Sequence, residues 1–459
     1  MSALMLADFS ISLDWHGSNV PLEECGRYMA GLGKQLARSI QGHPGVTGGA
    51  RLKTADGMPF VLVNARWKVG DGAQQETYRL DDHQLVACSY FQLYGQYQAV
   101  EHDVSASEDW NGVAHRPFGS GPNLAIWTVT SKCGMSCPHC YYFGEGIQRG
   151  EDVGLMDGLK IIDGLAEGGL RVVSFSGGEP LLHAHIWEFI ARAKERGLKV
   201  ILDTSGAYLA EKTVQRLASL EVDSAIASLD GMDEAHDLSR GPGAYQRTLD
   251  GLRRCRGAGI FTAVNVVLTA ANAHQAGAVM EPLIDAGARV VKFENVLPAG
   301  RARENGGLAH SYQSLVDTSR LLDGIRKKYA DRITVAIPIV SQAILLDAPF
   351  HCPSGYGFIC VSNDGFLAPC PSLTHLYSQW EDLDLKRRSF ASAMESARFR
   401  ALDDVSPACG KCEYVTVCRS GCLTRSHYAT GNIMDRDPVC IAQEKHHNRE
   451  KAITAGAGA

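Results

Sequence analysis

The sequence predicts an α/β protein built as a partial (β/α)6 barrel, with a small α+β unit before it and a cysteine-rich extension after it. Three observations predict this. From about residue 120 to 341, short β-rich runs alternate with helical-period segments, the pattern of βαβ units around a parallel sheet. Residues 1–115 show a different order, strand then helix then strands. After residue 342 the apolar periodicity stops and cysteines dominate. A region too poor in apolar pattern for its own core can be held by metal.

The elements follow in order. A strand-like run at 9–15 precedes an amphipathic helical pattern over 22–40, and further strands are expected at 60–67, 77–80 and 84–93. Residues 101–122 are polar and rich in Gly, Pro and Ser, and read as a linker. Barrel strands are expected at 124–129, 172–175, 199–202, 224–228, 262–268, 290–294 and 333–339. Helical segments at 154–167, 184–196, 246–258 and 273–286 separate them. In parallel α/β sheets ligands gather at the C-terminal strand ends. The domain reading is thus 1–115 as a cap or docking unit, 120–341 as the barrel, 342–445 as the extension and 446–459 as a tail.

Composition narrows the function. The chain has 459 residues, 45% apolar and 21% charged, with a net charge of −6. No basic field invites nucleic acid, and no apolar run reaches the ~18 residues of a membrane span. The first residues lack a basic stretch followed by an apolar one, so a secretory signal is not expected and the protein is expected to be cytoplasmic. Disulfides are rare there. The 14 cysteines therefore ask for another use, and metal is the expected one.

The cysteines are grouped. Cys133, Cys137 and Cys140 form C-x3-C-x2-C; Cys352, Cys360 and Cys370 follow; Cys409, Cys412, Cys418 and Cys422 form C-x2-C-x5-C-x3-C; Cys440 closes the series. Cys25, Cys88 and Cys255 stand alone and read as small buried hydrophobes. A [4Fe–4S] cluster normally takes four thiolates, so a group of three leaves one iron open. Zinc competes for the Cys409–Cys422 group, because C-x2-C pairs also build zinc ribbons. It does not explain C-x3-C-x2-C, which has no partner pair nearby. That motif follows the first barrel strand, where chemistry is placed.

Cys133-Gly134-Met135-Ser136-Cys137-Pro138-His139-Cys140 resembles the CxxxCxxC signature of radical S-adenosylmethionine (SAM) enzymes, with His139 where relatives often carry an aromatic residue. Ser176-Gly177-Gly178-Glu179-Pro180 resembles the GGEP motif that holds the SAM amino group. Glycines let the backbone approach closely, and a carboxylate receives an ammonium. By the same resemblance Asp203 and Ser205 of Asp203-Thr204-Ser205-Gly206 make polar contacts to SAM. Ser228 of Ser228-Leu229-Asp230-Gly231 and Arg240 of Arg240-Gly241-Pro242-Gly243 approach its carboxylate, as in the peptide-modifying branch. Leu297-Pro298-Ala299-Gly300-Arg301-Ala302 resembles the loop after the sixth strand.

The C-terminal cysteines resemble the SPASM extension, which holds two auxiliary [4Fe–4S] clusters. The resemblance assigns one to Cys352, Cys360, Cys370 and Cys422, and the other to Cys409, Cys412, Cys418 and Cys440. It implies three clusters in all, SAM as cofactor, a flavodoxin- or ferredoxin-type reductant, and catalysis by a 5′-deoxyadenosyl radical at the Cys133/Cys137/Cys140 cluster. The implied activity is maturation of a ribosomally made precursor peptide by an intramolecular C–C, C–O or thioether crosslink. Alternatives are oxidation of a sulfatase residue to formylglycine and oxidation or epimerisation of a small molecule such as an aminoglycoside. The former branch places an aspartate after the cysteine matching Cys370, where this chain has Pro371.

Overall fold

Every residue of Leu124–Thr130 (β5, LAIWTVT) is buried, which is why the run is apolar without alternation. A strand covered on both faces belongs inside a parallel sheet. The computed structural model describes residues 122, 124–346, 352, 354–355, 358–403, 409 and 421–446, together with the strands at 9–16, 49–52, 60–69 and 72–81. The chain divides into two compact units, residues 1–91, 95–121 and 346–348 in one, and 92–94, 122–345 and 349–459 in the other.

In the first unit the strands are β1 (Phe9–His16), β2 (Gly49–Leu52), β3 (Phe60–Val69) and β4 (Gly72–Asp81), in the order β2-β1-β3-β4. β1 runs parallel to β2 and antiparallel to β3, and β3 pairs antiparallel with β4. β2 was not expected from the sequence, and β4 extends well beyond the run expected at 77–80. The helix expected over 22–40 and the strand over 84–93 lie outside the described residues.

The second unit holds a nine-stranded open sheet. Six parallel strands follow β5 in chain order: β6 (Val172–Gly177), β7 (Lys199–Asp203), β8 (Ser224–Ser228), β9 (Phe261–Leu268), β10 (Val290–Asn295) and β11 (Thr334–Ala336). The helices between them are α1 (Leu155–Glu167), α2 (Ile186–Glu195), α3 (Glu211–Ser219), α4 (Asp233–Arg240), α5 (Ala244–Gly257), α6 (Met280–Ala286) and α7 (Tyr312–Lys328). Most of them bury one stripe. In α1 that stripe is Ile161, Ile162 and Leu165, and in α2 it is Ile186, Phe189, Ile190 and Ala193, at helical spacing. A Cβ on Gly158 would sit 2.1 Å from Phe189 Cζ, so glycine sets how closely α1 meets α2. The outer core joins Val264, Val266 and Leu268 of β9 to Leu249 and Leu252 of α5, Leu283 of α6 and Leu322 of α7.

The sequence expectation differs at the C-terminal edge. The strand expected over 333–339 is confined to Thr334–Ala336, and Ile339 begins the helix α8 (Ile339–Leu346). Beyond it the chain returns to the other edge of the sheet. β12 (Phe358–Val361) lies parallel to β5, with Cys360 opposite Ile126, and β13 (Leu367–Ala368) pairs antiparallel with β12. The first part of the expected extension is thus continuous with the barrel sheet and falls in the same compact unit. Trp127 seals the junction by donating its indole N–H to Ser362 O at 3.1 Å.

A further helix spans 438–446; before it comes α9 (Leu423–Thr430). Its start is held by Asp437, wholly buried, which accepts from Cys422 N at 2.9 Å, Arg425 Nε at 2.9 Å and Arg425 Nη2 at 2.6 Å. Among the described residues no helix is long and apolar enough to cross a membrane.

Candidate active site

The loop after β5 carries Cys133, Cys137 and Cys140, and neighbouring loops pin it at several points. Asp152 accepts from Thr130 Oγ1 at 2.5 Å and from Ser131 N at 2.9 Å. Arg301 Nη1 donates to Cys137 O at 3.1 Å, and Asn305 Nδ2 to Pro138 O at 3.1 Å. Gly300 has φ +56°, and a Cβ there would lie 2.4–2.7 Å from the carbonyls of Phe143, Cys140 and Tyr141. The Leu297–Ala302 segment singled out in the sequence therefore cradles the cysteine loop.

The Gly177-Gly178-Glu179 segment approaches from β6. Gly178 N donates to Thr130 O, and Glu179 N to Lys132 O, each at 2.8 Å. A Cβ on Gly178 would sit 2.2 Å from Lys132 O and 3.0 Å from Cys133 Cβ, so only glycine admits this approach. The Glu179 carboxylate is buried. It accepts from Thr204 Oγ1 at 2.7 and 2.9 Å, from Ser205 Oγ at 2.6 Å and from Ser205 N at 3.0 Å. Burial pushes its carboxyl up, against the opposing pull of the Ser205 and Thr204 donors. A buried carboxylate fixed beside a cysteine loop is suited to a cationic ligand.

On the far side, Asp230 and Arg240 form a buried pair, with Arg240 Nε 2.5 Å from Asp230 Oδ2. Burial works against the Asp230 charge, but Arg240 and His139 outweigh it and hold the carboxyl well below the usual carboxylate range. The Cys137 thiol, pushed up by burial, feels the opposing charge of Arg240. Gly241 and Gly243 have φ of +101° and +69°, which explains the glycines of the Arg240–Gly243 turn.

Asp203 is placed differently from its neighbours. Thr204 and Ser205 face Glu179, whereas the Asp203 carboxylate receives Asn265 Nδ2 at 3.3 Å and Ser174 Oγ at 3.5 Å. It also feels Lys292, which is itself paired with Glu294. These side chains form a polar layer inside the sheet. Burial pushes the Asp203 carboxyl up to about 6, against the pull of Lys292. A carboxyl raised in the folded state adds stability while protonated, and that contribution is lost as pH rises from about 4 through about 6. Relative to Asp203→Asn, the wild-type chain is therefore expected to lose roughly 2–3 kcal/mol between pH 4 and 6.5. Urea unfolding at stepped pH checks the sign; a flat difference would refute it.

Of the C-terminal cysteines, Cys352, Cys360, Cys370 and Cys422 come together. Cys352 feels Cys422 and Cys370, and Cys360 feels Cys370 and Cys352. Burial pushes these two thiols well up. Cys370 Sγ lies 3.2 Å from Ser372 Oγ and 3.4 Å from Thr424 Oγ1. Cys409 is buried, and Cys440 Sγ accepts from Arg436 Nη2 at 3.4 Å. Cys412 and Cys418 lie outside the described residues. None of the ten described cysteines is in a disulfide. Buried sulfurs that feel one another's charge suit a metal centre, whose positive charge offsets their mutual repulsion; among the described residues no three His, Cys, Asp or Glu side chains already stand at metal-ligating spacing.

Several participants were not singled out from the sequence. Thr204 lies between two residues that were. Asp152, Asn265 and Lys292 carry no local motif and are recruited by the sheet. Asn295, at the end of β10, buries both amide atoms without a partner.

Comparison with known proteins agrees with this geometry. Residues 127–280 match the radical SAM superfamily. An AdoMet-dependent heme synthase of Methanosarcina barkeri is 28% identical over 345 residues, covering 70% of this chain and 97% of the relative. A PqqA peptide cyclase of Granulibacter bethesdensis is 26% identical over 339 residues, covering 71% and 89%. In fold, the chain is similar to Streptococcus suis SuiB bound to S-adenosylmethionine, with a TM-score of 0.59 at 16% identity over 70% of this chain and 78% of that one. Residues 127–280 form a radical SAM domain, and the chain is an enzyme.

Proposed function

We propose that the chain matures a ribosomally made peptide, forming an intramolecular C–C, C–O or thioether crosslink. The observation that carries this reading is the cysteine quartet Cys352, Cys360, Cys370 and Cys422, gathered against the barrel sheet. The relatives that cover 71% of this chain include PqqA peptide cyclases. In this reading Cys133, Cys137 and Cys140 hold a [4Fe–4S] cluster with one open iron. The quartet holds a second cluster, and Cys409, Cys412, Cys418 and Cys440 hold a third. Glu179 receives the SAM ammonium, steadied by Thr204 and Ser205, and Arg240 and Ser228 meet the SAM carboxylate. When bound there, SAM and its cluster would supply the radical chemistry. The protein positions the reactants and excludes water, and a flavodoxin- or ferredoxin-type partner delivers the electron.

A second reading is favoured by the heme synthase relatives, which cover 69–70% of this chain: oxidation of a small molecule of the porphyrin class. Two measurements decide. Anaerobically reconstituted protein is expected to hold about twelve irons per chain; about four would remove the auxiliary pair. Co-expression with short open reading frames from the neighbouring coding region is expected to give a peptide about two hydrogen masses lighter. Unmodified peptides together with turnover of an iron porphyrin would favour the second reading.

A further inference from the structure

The cysteine loop carries His139 between Cys137 and Cys140, and its side chain is 7% exposed. Both ring nitrogens are engaged. Nε2 lies 3.3 Å from Asp230 Oδ2, and Nδ1 lies 3.2 Å from Ser239 Oγ. Asp230 is an acceptor only, so Nε2–H faces it as a donor, while Nδ1 and the Ser239 hydroxyl share the second hydrogen bond. The same Asp230 oxygen takes Arg240 Nε at 2.5 Å, and Arg240 Nη2 lies 3.5 Å from His139 Nε2. The other Asp230 oxygen takes Val267 N at 3.0 Å, so the carboxylate is anchored to β9 and cannot follow a loose arginine. A phenyl ring at 139 would fill the same volume and satisfy none of these partners.

We propose that His139 is a positioning residue: hydrogen-bonded through both nitrogens, it ties the cysteine loop to the Asp230–Arg240 pair. The guanidinium is thereby held in a fixed relation to Cys137 and Cys140. His139 acts on the ligand through Arg240. This inference rests on the reading of Arg240 as the SAM carboxylate contact.

The test uses the full chain, reconstituted anaerobically, with iron content measured and the SAM Kd read from the spectral change of the reduced cluster on titration. His139→Phe is expected to keep its iron and weaken SAM about tenfold, the scale of one charge-assisted hydrogen bond. Arg240→Gln is expected to weaken it further. The double variant should be no weaker than Arg240→Gln alone, because a residue acting through another is silent in its absence. His139→Gln, whose amide can reach Asp230, should recover most of the affinity, and His139→Asn, which is too short, should not. Should His139→Phe lose its iron, the Gln–Asn comparison decides in its place, and equal affinities there overturn the inference. Effects of His139→Phe and Arg240→Gln that multiply, or a His139→Phe variant within twofold of wild type, also overturn it. Wild-type affinity in Arg240→Gln would sink the reading of Arg240 first.

Discussion

Replacing Cys133, Cys137 and Cys140 together with alanine is expected to abolish formation of 5′-deoxyadenosine from SAM, leaving only background, while the far-UV spectrum and solubility stay near wild type. The physical ground is that the fold does not depend on these thiols. The loop that carries them is held by Asp152, Arg301 and Asn305 through backbone groups and Thr130. The barrel beneath is closed by apolar packing that includes Trp127, Phe175 and Phe189. The Cys133 and Cys137 thiols are disfavoured as thiolates by burial, so their placement serves a ligand. Anaerobic assay with dithionite checks this, and retained cleavage would refute the assignment of the open-iron site.

Asp437→Ala is expected to have the largest effect on stability. Its carboxylate is wholly buried and satisfies Arg425, Cys422 N and Val439 N. Removing one partner of a buried ion pair costs about 3–5 kcal/mol, because the other charge is left unpaired in the interior. The burden falls on the start of α9, and so on Cys422. Iron per chain is expected to drop while the Cys133/Cys137/Cys140 cluster still cleaves SAM. Parallel urea midpoints, iron assays and SAM-cleavage rates test it. An unchanged midpoint would show that Arg425 finds another partner.

The barrel was legible because its signals are local. Apolar runs bounded by turn residues mark β5 through β10, and glycine pairs mark the places where backbone meets backbone. The order of Cys133, Gly178 and Asp230 at the ends of β5, β6 and β8 was legible for the same reason. β2 was missed, since a four-residue strand carries too short a pattern to read. The expected strand over 333–339 was too long, because an apolar run of that length does not distinguish a strand from the first turn of a helix.

What the sequence alone determined is which residue types stand at each strand end: the thiols, the glycines, the carboxylates and the arginine. Only the tertiary structure decided how they pair. It turned Asp203 toward Asn265 and Lys292 while Thr204 and Ser205 took Glu179, and it drew Asp152 and Asp230 into holding the cysteine loop. It also returned Cys360 to the edge of the barrel sheet. These partners stand tens to hundreds of residues apart, and no local spacing encodes a hydrogen bond between separate strands. Burial settles them, since a polar group taken out of water must find its partner wherever the packed sheet places one.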